Sequence, residues 1–124
     1  MLIAWIAIFG ALGTLTRFGI TRLLLQPGAF SISTLTVNMV GSFLIGLLWG
    51  GHLQPQAAPS TFLLVATTGF LGGFTTFSAF SLEVVQLIAQ QKFLPALAYA
   101  VASPVACIAL VAAGAWLTYS FAGR

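Results

Sequence analysis

Charged side chains are nearly absent: they make up 4% of the 124 residues, against ~25% in a soluble domain. So little charge excludes a domain that folds in water and marks an integral membrane protein. Glu83 is the one acid, His52 the one histidine and Cys107 the one cysteine. A single cysteine excludes an intrachain disulfide, and the spacing of a metal site built from side chains is missing too. With one acid and one histidine there is no nucleophile beside a base, which argues against an enzyme. The bases Arg17, Arg22, Lys92 and Arg124 are too few for a nucleic-acid surface.

What is present is apolar: 60% of the residues are hydrophobic. They fall into four runs, about 2–25, 31–51, 60–90 and 93–121, and these predict one all-α membrane domain, 1–124, of four transmembrane helices. Spans consume nearly the whole chain, so no soluble domain is expected. No cleaved signal peptide is expected either, because the first residues run on into a full span and lack a basic flank. One such chain makes a thin bundle. An ion path through it alone would be hard to wall off from lipid, which favours an oligomer.

Span three is where the pattern departs from an unbroken helix. Gly69-Phe70-Leu71-Gly72-Gly73-Phe74-Thr75-Thr76-Phe77-Ser78-Ala79-Phe80-Ser81-Leu82-Glu83 mixes glycines and hydroxyls with phenylalanines. Glycine weakens a helix by ~1 kcal/mol relative to alanine, and two β-branched threonines follow Gly72-Gly73. The run from 60 to 90 makes ~46 Å of straight helix against a hydrocarbon core of ~30 Å. A break at its centre, near Thr75, is therefore expected close to the bilayer midplane. Backbone freed there must be buried in protein or line a cavity, and ion sites are built from such groups.

The other spans carry quieter signals. In span one, Gly10, Ala11 and Gly13 suit close helix packing, and Arg17 lies near enough to the end to snorkel. Gln26-Pro27-Gly28 is turn chemistry, and residues 52–59 read as a polar loop with two prolines. In span two, Thr34, Asn38, Ser42, Gly46 and Gly50 recur every fourth residue, a face that packs against protein. Tyr99, Ser103 and Cys107 share a face of span four.

Several polar groups at membrane depth admit two readings each. Asn38 either makes an interhelical hydrogen bond, worth ~0.6–2 kcal/mol, or donates its NH₂ group to an anion. Phe77 and Phe80, three apart on one face, either pack or present their positive ring edges to an anion. Ser78 and Ser81 repeat that spacing. The carbonyls of Gly72 and Thr75 either bond to water or a neighbouring span, or bind a monovalent cation. Glu83 faces a vestibule, pairs with a base, or sits at the interface in water.

Four spans put both termini on one side with Arg124, and leave Arg22 and Lys92 on the other with Arg17 nearby. So small a bias does not fix orientation, and the chain is expected to insert both ways. An antiparallel homodimer then follows naturally, with a two-fold axis in the membrane plane.

At these residues the sequence resembles the Fluc (CrcB) fluoride channel family. The segment Gly72 to Glu83 is similar to the family's GGxTTFSTFSxE, with Ala79 as a departure. Thr34-Leu35-Thr36-Val37-Asn38-Met39-Val40-Gly41-Ser42-Phe43 is similar to TLxVNxxGSF. Gly10 to Phe18 is similar to GAxxRY, with phenylalanine for tyrosine. The resemblance covers essentially the whole chain. It implies a dual-topology dimer with two antiparallel pores and passive fluoride efflux across a bacterial plasma (inner) membrane. It assigns Phe77, Phe80 and Asn38 to the pore, and extends a polar track through Ser78, Ser81, Tyr99 and Ser103. Gly72 and Thr75 would give backbone carbonyls to a structural sodium ion at the dimer interface. Arg17 and Glu83 stand as vestibule or structural charges.

Two other functions fit a small four-span chain. A multidrug/proton antiporter needs a carboxylate deep in the membrane, and Glu83 is not central. A structural membrane subunit would use the phenylalanines for packing alone.

Overall fold

The computed structural model describes residues 1–24, 32–52 and 58–122. Helix α1 is Leu2–Leu23 and α2 is Ile32–Trp49, extended by a 3₁₀ turn at Gly50–His52. Span three is composite: α3 is Thr61–Leu64, a π-helical stretch covers Val65–Leu71, α4 is Gly72–Phe74 and α5 is Phe77–Ala89. Helix α6 is Phe93–Ala122. Among the described residues the structure is all-helical, and four segments are long and apolar enough to cross a membrane: Leu2–Leu23, Ile32–Trp49, Thr61–Ala89 and Phe93–Phe121. The expected turn at Gln26-Pro27-Gly28, residues 53–57 of the second loop and Arg124 lie outside the described residues.

Local chemistry sets the ends of span three. The Ser60 hydroxyl accepts the Leu63 N–H at 3.2 Å and starts α3. Thr76 does the same for Ala79 at 3.2 Å and starts α5. Helix α5 stops with Gln91 in the left-handed region, at φ 59°. There the N–H of Gln91 bonds to the Ile88 carbonyl and that of Lys92 to the Leu87 carbonyl, both at 2.9 Å. This is a Schellman ending made without the usual glycine.

Two seams hold the bundle. Helix α1 lies mainly along the first half of span three, while α2 lies mainly along α6. The first seam closes on backbone: a β-carbon added to Gly13 would sit 2.0 Å from the Phe70 carbonyl oxygen. Only glycine permits that approach, as membrane helix pairs favour. In the second seam, Gly46 and Gly50 of the span-two face lie on the backbone of Val111 and Ala115, and the Thr118 hydroxyl donates to the Leu47 carbonyl at 2.8 Å. Val37, Leu71 and Phe74 form one buried cluster between these elements. Phe80, Leu87, Ala96 and Tyr99 form another, joining α5 to α6. Ile3, Leu15, Phe62, Leu94, Ile108 and Phe121 point outward, where lipid is the natural neighbour.

Candidate functional site

Thr75 (φ −82°, ψ 159°) and Thr76 (φ −152°, ψ 115°) are extended between α4 and α5. The position expected for a break, near Thr75, coincides with these two residues, while Gly72 and Gly73 themselves remain helical. At Gly73 the missing side chain serves packing: a β-carbon there would lie 2.3 Å from the Gly10 carbonyl oxygen. The departure falls on the two threonines that follow.

A helix that ends leaves its last carbonyls without partners, and here a side chain or a local turn supplies one to Leu71 and to Gly73. The N–H and hydroxyl of Thr75 both donate to the Leu71 carbonyl at 3.0 Å. Gly73's carbonyl accepts from Arg17 Nε at 3.2 Å and from the Thr14 hydroxyl at 3.4 Å. Arg17 was expected to snorkel. Instead its Nε reaches the Gly73 carbonyl, where the end of α4 offers it a partially negative oxygen.

Asn38 treats Thr76 as a neighbouring strand would. The Thr76 N–H donates to Asn38 Oδ1 at 2.8 Å, and Asn38 Nδ2 donates to the Thr76 carbonyl at 2.9 Å. One amide thus satisfies both polar groups of an extended residue that has no ladder. Its Nδ2 carries a second proton, and the residue borders a cavity of about 410 Å³.

That cavity lies between α2, span three and α6. It brings together Asn38, Gly72, Thr75, Phe77, Phe80 and Ser103, with Ser42, Thr67 and Cys107 also on its wall. Every residue lining it is uncharged. Phe80 is only 7% exposed, while Phe77 is 76% exposed, and the two rings lie 5.5 Å apart. Phe80 also meets the Tyr99 ring edge-on, at 5.0 Å.

Ser78, Ser81 and Tyr99 are not on the wall of this cavity. The Ser81 hydroxyl bonds back to the Phe77 carbonyl at 2.9 Å, and the Ser78 hydroxyl meets that of Thr76 at 3.2 Å. Tyr99 donates its hydroxyl to Glu83 Oε2 at 2.8 Å. The other carboxylate oxygen, Oε1, accepts from the Thr34 hydroxyl at 2.5 Å. Glu83 also borders a second cavity, of about 290 Å³, with Arg17, Thr14, Thr21 and Thr34. Thr76 borders both cavities.

Sequence reasoning passed over Thr14, Thr34 and Thr76 as members of the site. Thr34 had a signal, since it opens the polar face that continues through Asn38 and Ser42. Thr76 had one only in being next to Thr75.

Residues 4–115 match the family model described as CrcB-like protein, Camphor Resistance (CrcB). A protein of Syntrophotalea carbinolica named fluoride-specific ion channel FluC is 49% identical over 90 residues, covering 71% of this chain and 73% of its own. A FluC of a Geobacter species is 41% identical over 108 residues, covering 86% and 87%. FluC 2 of Listeria monocytogenes is 35% identical over 124 residues, covering 100% and 95%. On the breadth of these matches, together with four spans and the shared motifs, the chain belongs to the CrcB family.

Proposed function

We propose that this protein is a fluoride-selective channel of a bacterial plasma membrane, through which the anion leaves the cell passively. The observation that carries the reading is the uncharged cavity at the Thr75–Thr76 interruption, walled by Phe77, Phe80, Asn38 and Ser103. A small anion must shed water to pass there. Ring edges, one amide proton and hydroxyls are weak donors that replace the hydration without trapping the ion. Conduction needs binding that is favourable enough to admit the ion and weak enough to release it. The membrane potential supplies the drive, ~2.3 kcal/mol per charge per 100 mV, outward for an anion in a negative interior. The names carried by the relatives support the same substrate.

The working unit is an antiparallel homodimer with a pore from each orientation. The exposed Phe77 ring suits a surface that a second copy would help to enclose. A structural sodium ion fits the interface chemically. Among the described residues, partners beyond the helix ladder are seen for the carbonyls of Leu71, Gly73 and Thr76 and not for those of Gly72, Phe74 and Thr75, of which Gly72 and Thr75 border the cavity. Two such oxygens from each copy make a neutral oxygen set for a small monovalent cation. Bound there, the ion supplies a fixed positive charge near the pores.

Fluoride efflux from liposomes containing only this protein tests the reading. Fluoride flux with little chloride flux is expected, and Phe80→Ile should suppress it. Liposomes that hold fluoride despite correctly inserted protein would overturn the proposal.

A further inference from the structure

Arg17 is a permanent cation at membrane depth, and the channel reading leaves it without a task. Its placement is specific. Gly10 and Gly13 bring α1 onto span three with their backbones nearly touching, and Arg17 follows one turn later. That sets its guanidinium beside the last turn of α4, where Nε donates to the Gly73 carbonyl at 3.2 Å. The Thr14 hydroxyl, one turn earlier, is shared between the Gly10 carbonyl at 3.0 Å and the Gly73 carbonyl at 3.4 Å. Two side chains of α1 therefore converge on a single backbone oxygen of span three.

Gly73 lies between Gly72 and Thr75, two cavity-lining residues whose carbonyls, among the described residues, meet no donor beyond the helix ladder. A helix end concentrates partial negative charge on its last carbonyls, and a cation beside it both satisfies and orients them. Asn38 fixes the peptide groups of Thr76 from the opposite side. Between these two anchors the chain runs extended.

We infer that Arg17 is a positioning residue: acting through Gly73, with Thr14, it fixes the direction in which α4 ends and so where the interruption presents its free backbone and the Phe77 ring. It does this without touching the permeating ion. The flux arm of the test rests on the fluoride-channel reading, whereas the contact itself does not.

Electrostatic attraction is the competing role, since Arg17 shares the smaller cavity with Glu83. The two roles separate in kinetics. A residue that draws anions inward sets the fluoride concentration for half-maximal flux, and its loss is masked by salt. A residue that holds backbone sets the maximal flux.

The experiment has two arms on the full chain in liposomes. Solid-state NMR with isotope-labelled arginine and glycine should show a dipolar coupling between Arg17 Nε and the Gly73 carbonyl carbon. In flux assays, Arg17→Gln should lower maximal fluoride flux by about tenfold to a hundredfold, the scale of ångström-level misplacement. Its half-saturating fluoride concentration should stay unchanged at low and high salt. Arg17→Lys, which keeps charge and a donor, should recover part of the flux, and Thr14→Val should lower it less. Absence of the coupling, an unchanged maximal flux in Arg17→Gln, or a purely salt-dependent shift in half-saturation would overturn the inference. If Arg17→Gln does not assemble, the coupling and the Lys and Val variants still decide. A wild-type protein that shows the coupling but passes no fluoride would sink the channel reading and leave the contact standing.

Discussion

The two halves of span three are held in opposite ways. The first half, Thr61–Phe74, approaches α1 backbone to backbone at Gly13 and Gly73, where a β-carbon would collide with the opposing chain. The second half, Phe77–Ala89, is a regular helix held by side chains: Phe80 and Leu87 packed against α6, and Glu83 bridged by two hydroxyls. The first arrangement is rigid and intolerant of added volume. The second depends on particular polar groups and tolerates exchange. An extended pair of threonines can persist between them because each neighbour is pinned by a different means.

The sharpest way to break this contrast is to add volume to the first half. Gly13→Val places methyl groups on the Phe70 carbonyl and should cost more than ~4 kcal/mol, among the largest single-site losses. Folded protein recovered in detergent should nearly vanish; near-normal recovery would show that the seam is looser than described. Next comes the junction. Asn38→Ala leaves the N–H and C=O of Thr76 unpaired, at ~1–3 kcal/mol each. Reversible unfolding in mixed micelles should register a loss of about 3 kcal/mol, and a loss below experimental error would mean that water replaces the amide. In the second half the effect should be smaller. Glu83→Gln keeps an acceptor oxygen for one hydroxyl and sets an NH₂ donor against the other, which must turn to accept, so both bonds lose their charge, at ~1 kcal/mol in the same assay. A loss as large as that of Asn38→Ala would erase the distinction between the halves. The smallest change has the opposite sign. Gln91→Gly relieves a left-handed residue at the end of α5 and should stabilise by ~1 kcal/mol or less. A destabilised variant would show that the glutamine side chain has a role of its own.

The sequence carried the architecture further than it carried the contacts. Apolar run lengths are a property of composition, so the four spans could be read directly. The fourfold recurrence of Thr34, Asn38, Ser42, Gly46 and Gly50 announced a protein-facing side, because a single periodicity encodes a helix face. The π-helical turn at Val65–Leu71 left no trace in that pattern: it depends on how α1 presses on span three, not on local propensity. The interruption at Thr75–Thr76 lies near the centre that the run length pointed to, while Gly72 and Gly73 stay helical in spite of glycine's weak helix preference. The cavity residues Asn38, Phe77, Phe80 and Ser103 were foreseeable as types and spacings. Which group each polar atom bonds was not, because Asn38 with Thr76 and Glu83 with Tyr99 are pairings across the bundle.

Thr76 has a consequence of its own. Both cavities border this residue, and its N–H and C=O, which belong to two successive peptide groups, are both tied to a single amide on α2. A change at that one amide on α2 is therefore felt in both chambers at once, since it holds two successive peptide groups of the chain that borders them.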